Sequence, residues 1–224
     1  MEIYISYSWA PPIKAIVRNW LCPILKANHV DYIIDEKDCG YGHDIVKFEK
    51  EIGKADNVLI MVSKSYFKSI NCMYEMALIM KYTNMRKNRL WVSADDFNRD
   101  ENEYDAIFDS WNKELARINK KLTGDVNRDR YCKEKIEKIE LILQYFPDAW
   151  QQIMNKNTLS FEKISANNFQ ELLEYIKKEV LLEEPNSDLP MDIGDAPGGT
   201  TIIQNGNNCV AATINNGGTM TINM

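Results

Sequence analysis

Residues 63–75, Ser-Lys-Ser-Tyr-Phe-Lys-Ser-Ile-Asn-Cys-Met-Tyr-Glu, close an apolar run and carry one carboxylate, Glu75, onto the start of a helix. The run before them, Val58-Leu59-Ile60-Met61-Val62, is continuous and rich in β-branched and long residues, as a strand buried on both faces requires. Met76, Ile79 and Met80 follow Cys72 at spacings that return to one side of a helix. Glu75 therefore stands just past the carboxyl end of a buried parallel strand, where open α/β sheets bind ligands. The chemistry open to it is that of a single carboxylate, and it is the candidate catalytic residue. A Glu early in an amphipathic helix is also a common solvated residue favoured by the helix dipole, so spacing alone leaves both readings open. Cys72 reads as a small buried hydrophobe without a nucleophilic role. His29 and His43, the only histidines, have no partner at metal-ligand or triad spacing, so no metal site is expected.

The elements that position Glu75 alternate between strand and helix. Residues 2–7, Glu-Ile-Tyr-Ile-Ser-Tyr, form the opening strand. Ile13, Ile16, Val17, Trp20, Leu21, Ile24 and Leu25 then mark one apolar helical stripe, which Pro23 is expected to kink or end early. Residues 30–34 read as a second strand. A polar loop with two glycines follows at 35–44, and Ile45, Phe48 and Ile52 carry the next helix. Leu90-Trp91-Val92 is a fourth strand. Four such repeats imply one doubly wound α/β domain with a parallel sheet covered on both faces.

In this order and spacing the chain resembles the TIR (Toll/interleukin-1 receptor) domains, particularly their bacterial members. Residues 3–8 resemble the family's opening strand with its Ser-Tyr-Ser ending. Residues 35–45 resemble the loop after the second strand, and 57–66 the third strand with its Ser-x-x-Tyr ending. Ser69-Ile70-Asn71-Cys72-Met73-Tyr74-Glu75 resembles the Ser-x-Trp-Cys-x-x-Glu signature. The likeness is good over residues 1–95 and loose over 96–182. It implies a flavodoxin-like three-layer sandwich and, as in many bacterial members, cleavage of NAD between nicotinamide and ribose.

On that resemblance Glu75 falls on the family's catalytic glutamate, and Tyr7, Ser8, Trp9, Lys37, Gly40, Tyr41 and Asn71 are the substrate-binding candidates. NAD is then a substrate, and no bound cofactor is expected. Breaking this N-glycosidic bond builds an oxocarbenium-like centre that a nearby carboxylate stabilises. Nicotinamide leaves as a neutral ring, so no general acid is needed, unlike at the paired carboxylates that cut O-glycosides. The sequence departs from the signature at Asn71, where the family has a tryptophan that can stack on the nucleotide. Ring stacking falls instead to Trp9, Tyr7, Tyr41, Tyr66 or Tyr74. A second departure is Ala10-Pro11-Pro12, where relatives often carry a charged residue.

Net charge of −6 and a pI near 5.1 argue against general nucleic-acid binding. No apolar stretch is long enough to cross a bilayer. Cysteines at 22, 39, 72, 132 and 209, an odd number without an export signal, do not make a disulfide framework, so a cytoplasmic protein is expected.

Beyond an acidic loop at 95–101, helices are expected at 108–122 and 131–146. A short strand is expected around Phe161 and Ile164, and a last helix capped by Asn168 with Glu171 three residues on. The domain is expected to span 1–182, with a linker at 183–195 that carries Pro185, Pro190 and several acids. Residues 196–224 contain no charged side chain and are rich in Asn, Gly, Thr and Ile. Gly-Gly-Thr-Thr-Ile-Ile-Gln at 198–204 recurs as Gly-Gly-Thr-Met-Thr-Ile-Asn at 217–223. Zero charge with β-formers and Asn/Gln suits cross-β pairing. The tail loosely resembles amyloid-signalling, RHIM-like motifs through Ile203-Gln204-Asn205-Gly206; a flexible end or a folded-back strand pair are the other readings. Ile202, Ile203, Gln204, Asn205, Gly206 and Ile222 are its self-assembly candidates.

Together these imply a TIR NAD glycohydrolase, active on self-association through the domain and the tail, placed in anti-phage defence with an upstream sensor protein as a candidate partner. Two other readings are a non-catalytic TIR scaffold and a nucleoside deoxyribosyltransferase-like enzyme. A phosphoacceptor regulator is disfavoured, because Ser6-Tyr7-Ser8 lacks the acidic pair that would hold its metal.

Overall fold

A computed structural model describes residues 2–34, 45–82, 88–155 and 158–181, and the backbone of 201–205, 208–214 and 220–223. The chain divides into two compact units, Met1–Glu183 and Glu184–Met224.

In the first unit, β1 (Glu2–Tyr7) leads into α1 (Ile13–Ile16), a π-helical turn (Val17–Leu21) and α2 (Cys22–Ala27). β2 (Asp31–Ile33), α3 (Ile45–Lys54), β3 (Asn57–Val62), α4 (Lys64–Lys68), α5 (Ile70–Lys81) and β4 (Asn88–Ser93) follow. The unit ends with α6 (Glu101–Asn119), α7 (Val126–Asn155), β5 (Leu159–Ser160), α8 (Phe161–Ala166) and α9 (Gln170–Leu181). The strands lie in the order β2-β1-β3-β4-β5, all parallel, which is the expected flavodoxin-like α/β fold.

Period-two alternation sorts the sheet into two cores. Ile3, Ile5 and Tyr7 of β1, with Leu59, Met61, Leu90 and Val92, pack on Ile13, Val17, Leu21 and Leu25 and on Leu172 and Ile176 of α9. Val58, Ile60, Val62 and Trp91 face the other way, onto α3, α5, α6 and α7. β3 is apolar on both faces because it lies between two covered layers.

Four local expectations change. Pro23 does not end its helix: the backbone stays helical from Ile13 to Ala27, and the π turn at Val17–Leu21, with Cys22 N bonded to the Val17 carbonyl, lies immediately before it. α7 likewise runs through Pro147 to Asn155, because Phe146, Ala149, Trp150 and Ile153 are all buried beyond the break. Phe161 and Ile164 lie on α8 rather than on a strand; the strand is the two residues before it, paired with Val92 and Ser93. Asn168 does not cap α9, since it stands two residues ahead of Gln170 with φ of 53° in a left-handed turn.

A partly buried ion pair ties α3 to α7. The carboxylate of Glu49, 1% exposed, receives two hydrogen bonds from Lys138 Nζ at 2.7 and 2.9 Å. The same ammonium lies 4.4 Å above the ring of Tyr74 on α5, so three helices meet at one cation. α3 also approaches α5 closely at Gly53, where a Cβ would stand 3.0 Å from that of Leu78.

In the second unit β6 (Thr201–Asn205), β7 (Asn208–Ile214) and β8 (Met220–Asn223) form an antiparallel meander in the order β6-β7-β8. Ile203 pairs with Val210, and Ala212 with Ile222. The repeated Gly-Gly-Thr segments thus supply, at least in part, its two outer strands.

Replacing Lys138 by Met leaves Glu49 buried without its cation and is expected to cost about 3 kcal/mol in chemical denaturation. Adding Glu49→Gln removes the stranded charge, so the double variant should recover most of that loss.

Candidate functional site

The strand order reverses at β1, since the chain steps outward from β1 to β2 and then returns to β3 on its other side. The carboxyl ends of β1 and β3 therefore open a crevice between diverging connections. Glu75 lies in it.

Local sequence fixes how α5 presents this residue. Ser63 caps α4, its hydroxyl accepting from Tyr66 N at 3.0 Å, and Ser69 caps α5, accepting from Cys72 N at 3.3 Å. Two caps six residues apart turn the chain sharply off β3 and set Glu75 in the second turn of α5, beside β1. Glu75 is 5% exposed, and its Oε2 accepts a hydrogen bond from Ser6 Oγ at 2.6 Å. Ser6 Oγ also lies 2.8 Å from the hydroxyl of Tyr66. Cys72, one turn before Glu75, directs its thiol to the carbonyl of Tyr7 at 3.6 Å and is buried.

Burial pushes the Tyr66 phenol well above its ordinary value, and the negative potential of Cys72 and Glu75 adds to the effect. Tyr66 is therefore a neutral O–H throughout the working pH range.

Its neighbour Phe67 anchors this turn from below. Phe67 meets Phe97 edge-on at 5.0 Å and lies within 6.2 Å of Phe146 and 5.9 Å of Trp150. Trp111 Nε1 of α6 donates to the Phe67 carbonyl at 3.1 Å. Helices from the second half of the unit thus hold the turn that carries Tyr66. Asp96 Oδ1 adds a bond from Lys64 N at 2.9 Å.

The remaining sequence candidates scatter. Ser8 is buried beside the crevice, its hydroxyl accepting from Ala10 N at 3.3 Å. Trp9, next along, is 46% exposed, with Lys14 Nζ 5.4 Å above its ring. Asn71 is exposed in the first turn of α5. The Tyr7 ring points into the opposite core, and Tyr66 is wholly buried, so neither presents a ring face to the crevice. Tyr74 packs beneath Lys138 instead. Lys37, Gly40 and Tyr41 lie outside the described residues, as does Gly206. Ile202, Ile203, Gln204 and Asn205 fall on β6, and Ile222 on β8.

Ser6 was missed as a site residue. The signal was present: in a strand whose other face reads Ile3, Ile5, Tyr7, a small hydroxyl at an inward position is out of place unless something binds it.

A family profile for the TIR domain matches residues 3–118. The chain belongs to the TIR domain family. The match runs from β1 almost to the end of α6, so α7, β5, α8 and α9 complete this TIR unit beyond the matched residues. Among solved structures the chain is similar to the TIR domains of the activated Roq1 resistosome directly recognizing the pathogen effector XopQ. Identity there is 15%, over 78% of this chain and 98% of that one, with a TM-score of 0.49. No curated protein matches. Among the described residues no three His, Cys, Asp or Glu side chains are placed to hold a metal ion, and no helix is long and apolar enough to cross a membrane.

Proposed function

We propose that this TIR domain is an NAD glycohydrolase whose reacting group is the Glu75 carboxylate. The observation that carries the reading is the position of that carboxylate, largely shielded from water at the switch point of the sheet and oriented by Ser6 at 2.6 Å.

The bond between ribose C1′ and the nicotinamide nitrogen breaks heterolytically. Its electron pair leaves with the ring, which becomes neutral, and positive charge builds on C1′ and the ring oxygen. A fixed anion in a site of low dielectric stabilises that charge without reorganising. Water then adds at C1′ and passes its proton to bulk solvent. Trp9, half-exposed beside the crevice, supplies the flat aromatic surface that Asn71 does not. The nearby Lys14 adds a cation suited to a phosphate.

Self-association controls the reaction in this reading. The Glu184–Met224 unit brings two outer strands and an uncharged tail sequence to the assembly, features suited to pairing with a second copy. The domain boundaries at 182 and 195, and a defence role by depletion of NAD, belong to the same proposal.

Nicotinamide release from NAD by purified full-length protein tests it. Glu75→Gln should lower turnover at least 1,000-fold, because the variant keeps the shape of the side chain and loses its charge. Unchanged turnover would remove Glu75 as the reacting group, no turnover by the wild-type chain at any concentration would move the protein to the scaffold reading, and cleavage of deoxynucleosides with NAD untouched would move it to the deoxyribosyltransferase reading. Trp9→Ala should raise KM about tenfold with little change in kcat, as loss of a stacking surface does. Truncation after Glu184 should abolish the rise of specific activity with protein concentration. A truncated chain that keeps this rise would discard the tail as the switch.

A further inference from the structure

Ser6 stands at a costly position. It is buried on a central strand, where a hydroxyl is a poor strand former and must find a partner. It has two, Glu75 Oε2 at 2.6 Å and Tyr66 Oη at 2.8 Å, reaching across 69 and 60 residues of sequence. The direction of the chain of hydrogen bonds follows from chemistry. A carboxylate only accepts, so Ser6 gives its single proton to Glu75. The Tyr66 phenol, kept neutral by burial, then gives its proton to Ser6. Each donor strengthens the next by polarising it. The origin is rigid, because Tyr66 is held by the Ser63 cap and by Phe67 on the aromatic cluster of α6 and α7.

We propose that Ser6 and Tyr66 are positioning residues forming a one-way donor relay, Tyr66 to Ser6 to Glu75 Oε2, which favours the ionised form of the Glu75 carboxylate and fixes its orientation. This role rests on the reading of Glu75 as the reacting group. It assigns work to a tyrosine that touches no substrate.

The test reads the carboxylate directly. With ¹³C-labelled glutamate in the full chain, the Glu75 δ-carbon is assigned by its disappearance in Glu75→Gln and titrated by NMR. Ser6→Ala should raise its midpoint by about one pH unit, and Tyr66→Phe by about half of that, since Ser6 still donates. In turnover of NAD, Ser6→Ala should lower kcat about 30-fold with KM held within twofold, and should move the acid limb of the pH profile upward by the same unit.

The double variant Ser6→Ala/Tyr66→Phe separates positioning from packing. It removes the orphaned phenol that Ser6→Ala alone leaves buried, so its melting temperature should rise above that of Ser6→Ala while its kcat stays as low. Recovery of kcat together with melting temperature, or an unmoved Glu75 midpoint in both single variants, would overturn the relay. If the midpoint moves as expected while the wild-type chain leaves NAD intact, the relay stands and the proposed reaction falls.

Discussion

A carboxylate taken out of water beside an apolar sheet needs donors that are themselves held in place, and this requirement organises the crevice of the TIR unit. Glu75 finds its donor on β1, the strand on the far side of the switch point from the turn that launches α5. The bond therefore ties β1 to α5. It joins two elements whose connections diverge, and the register of β1 against β3, with Ser6 opposite Ile60, sets its length. A slip of one residue in that pairing would turn Tyr7 toward Glu75 and bury Ser6 among the aliphatic side chains of the other core.

Holding Tyr66 at the far end of this arrangement falls to α6 and α7, the second of which lies beyond the family match. Phe97, Tyr104, Phe146 and Trp150 form a stacked and tilted aromatic group, with Tyr104 and Phe146 at 5.3 Å, and Phe67 is seated against it. α7 contributes Phe146, Trp150 and, further up, Lys138. α7 therefore reaches both the turn next to the site and, through Glu49, α3. Ion pairs of this kind add little net stability but make any wrong placement expensive, which favours one arrangement of α3.

Much of the fold was legible because its signals are local. Continuous apolar runs at 58–62 and 90–92, separated by helical stripes, specify a parallel sheet covered twice, and the order of short motifs placed Glu75 at a strand end. Where the local reading erred, long-range burial had outweighed a local rule. Pro147 should stop a helix, yet Trp150 and Ile153 beyond it are buried deeply enough to carry α7 on. Phe161 has strand character, but Ser160 caps a helix there by accepting from Lys163 N at 3.3 Å.

The sequence by itself determined the alternation of elements, the family resemblance, the uncharged character of the tail and the identity of the one carboxylate worth testing. These depend on residues a few positions apart, so periodicity and composition reveal them. Only the tertiary structure decided that Ser6 bonds Glu75, that Tyr7 and Tyr66 bury their rings, that Trp9 alone among the described aromatic candidates stands half-exposed, and that Lys138 gathers Glu49 and Tyr74. Each of these contacts joins residues far apart in the chain, through strand order and register that no local pattern encodes.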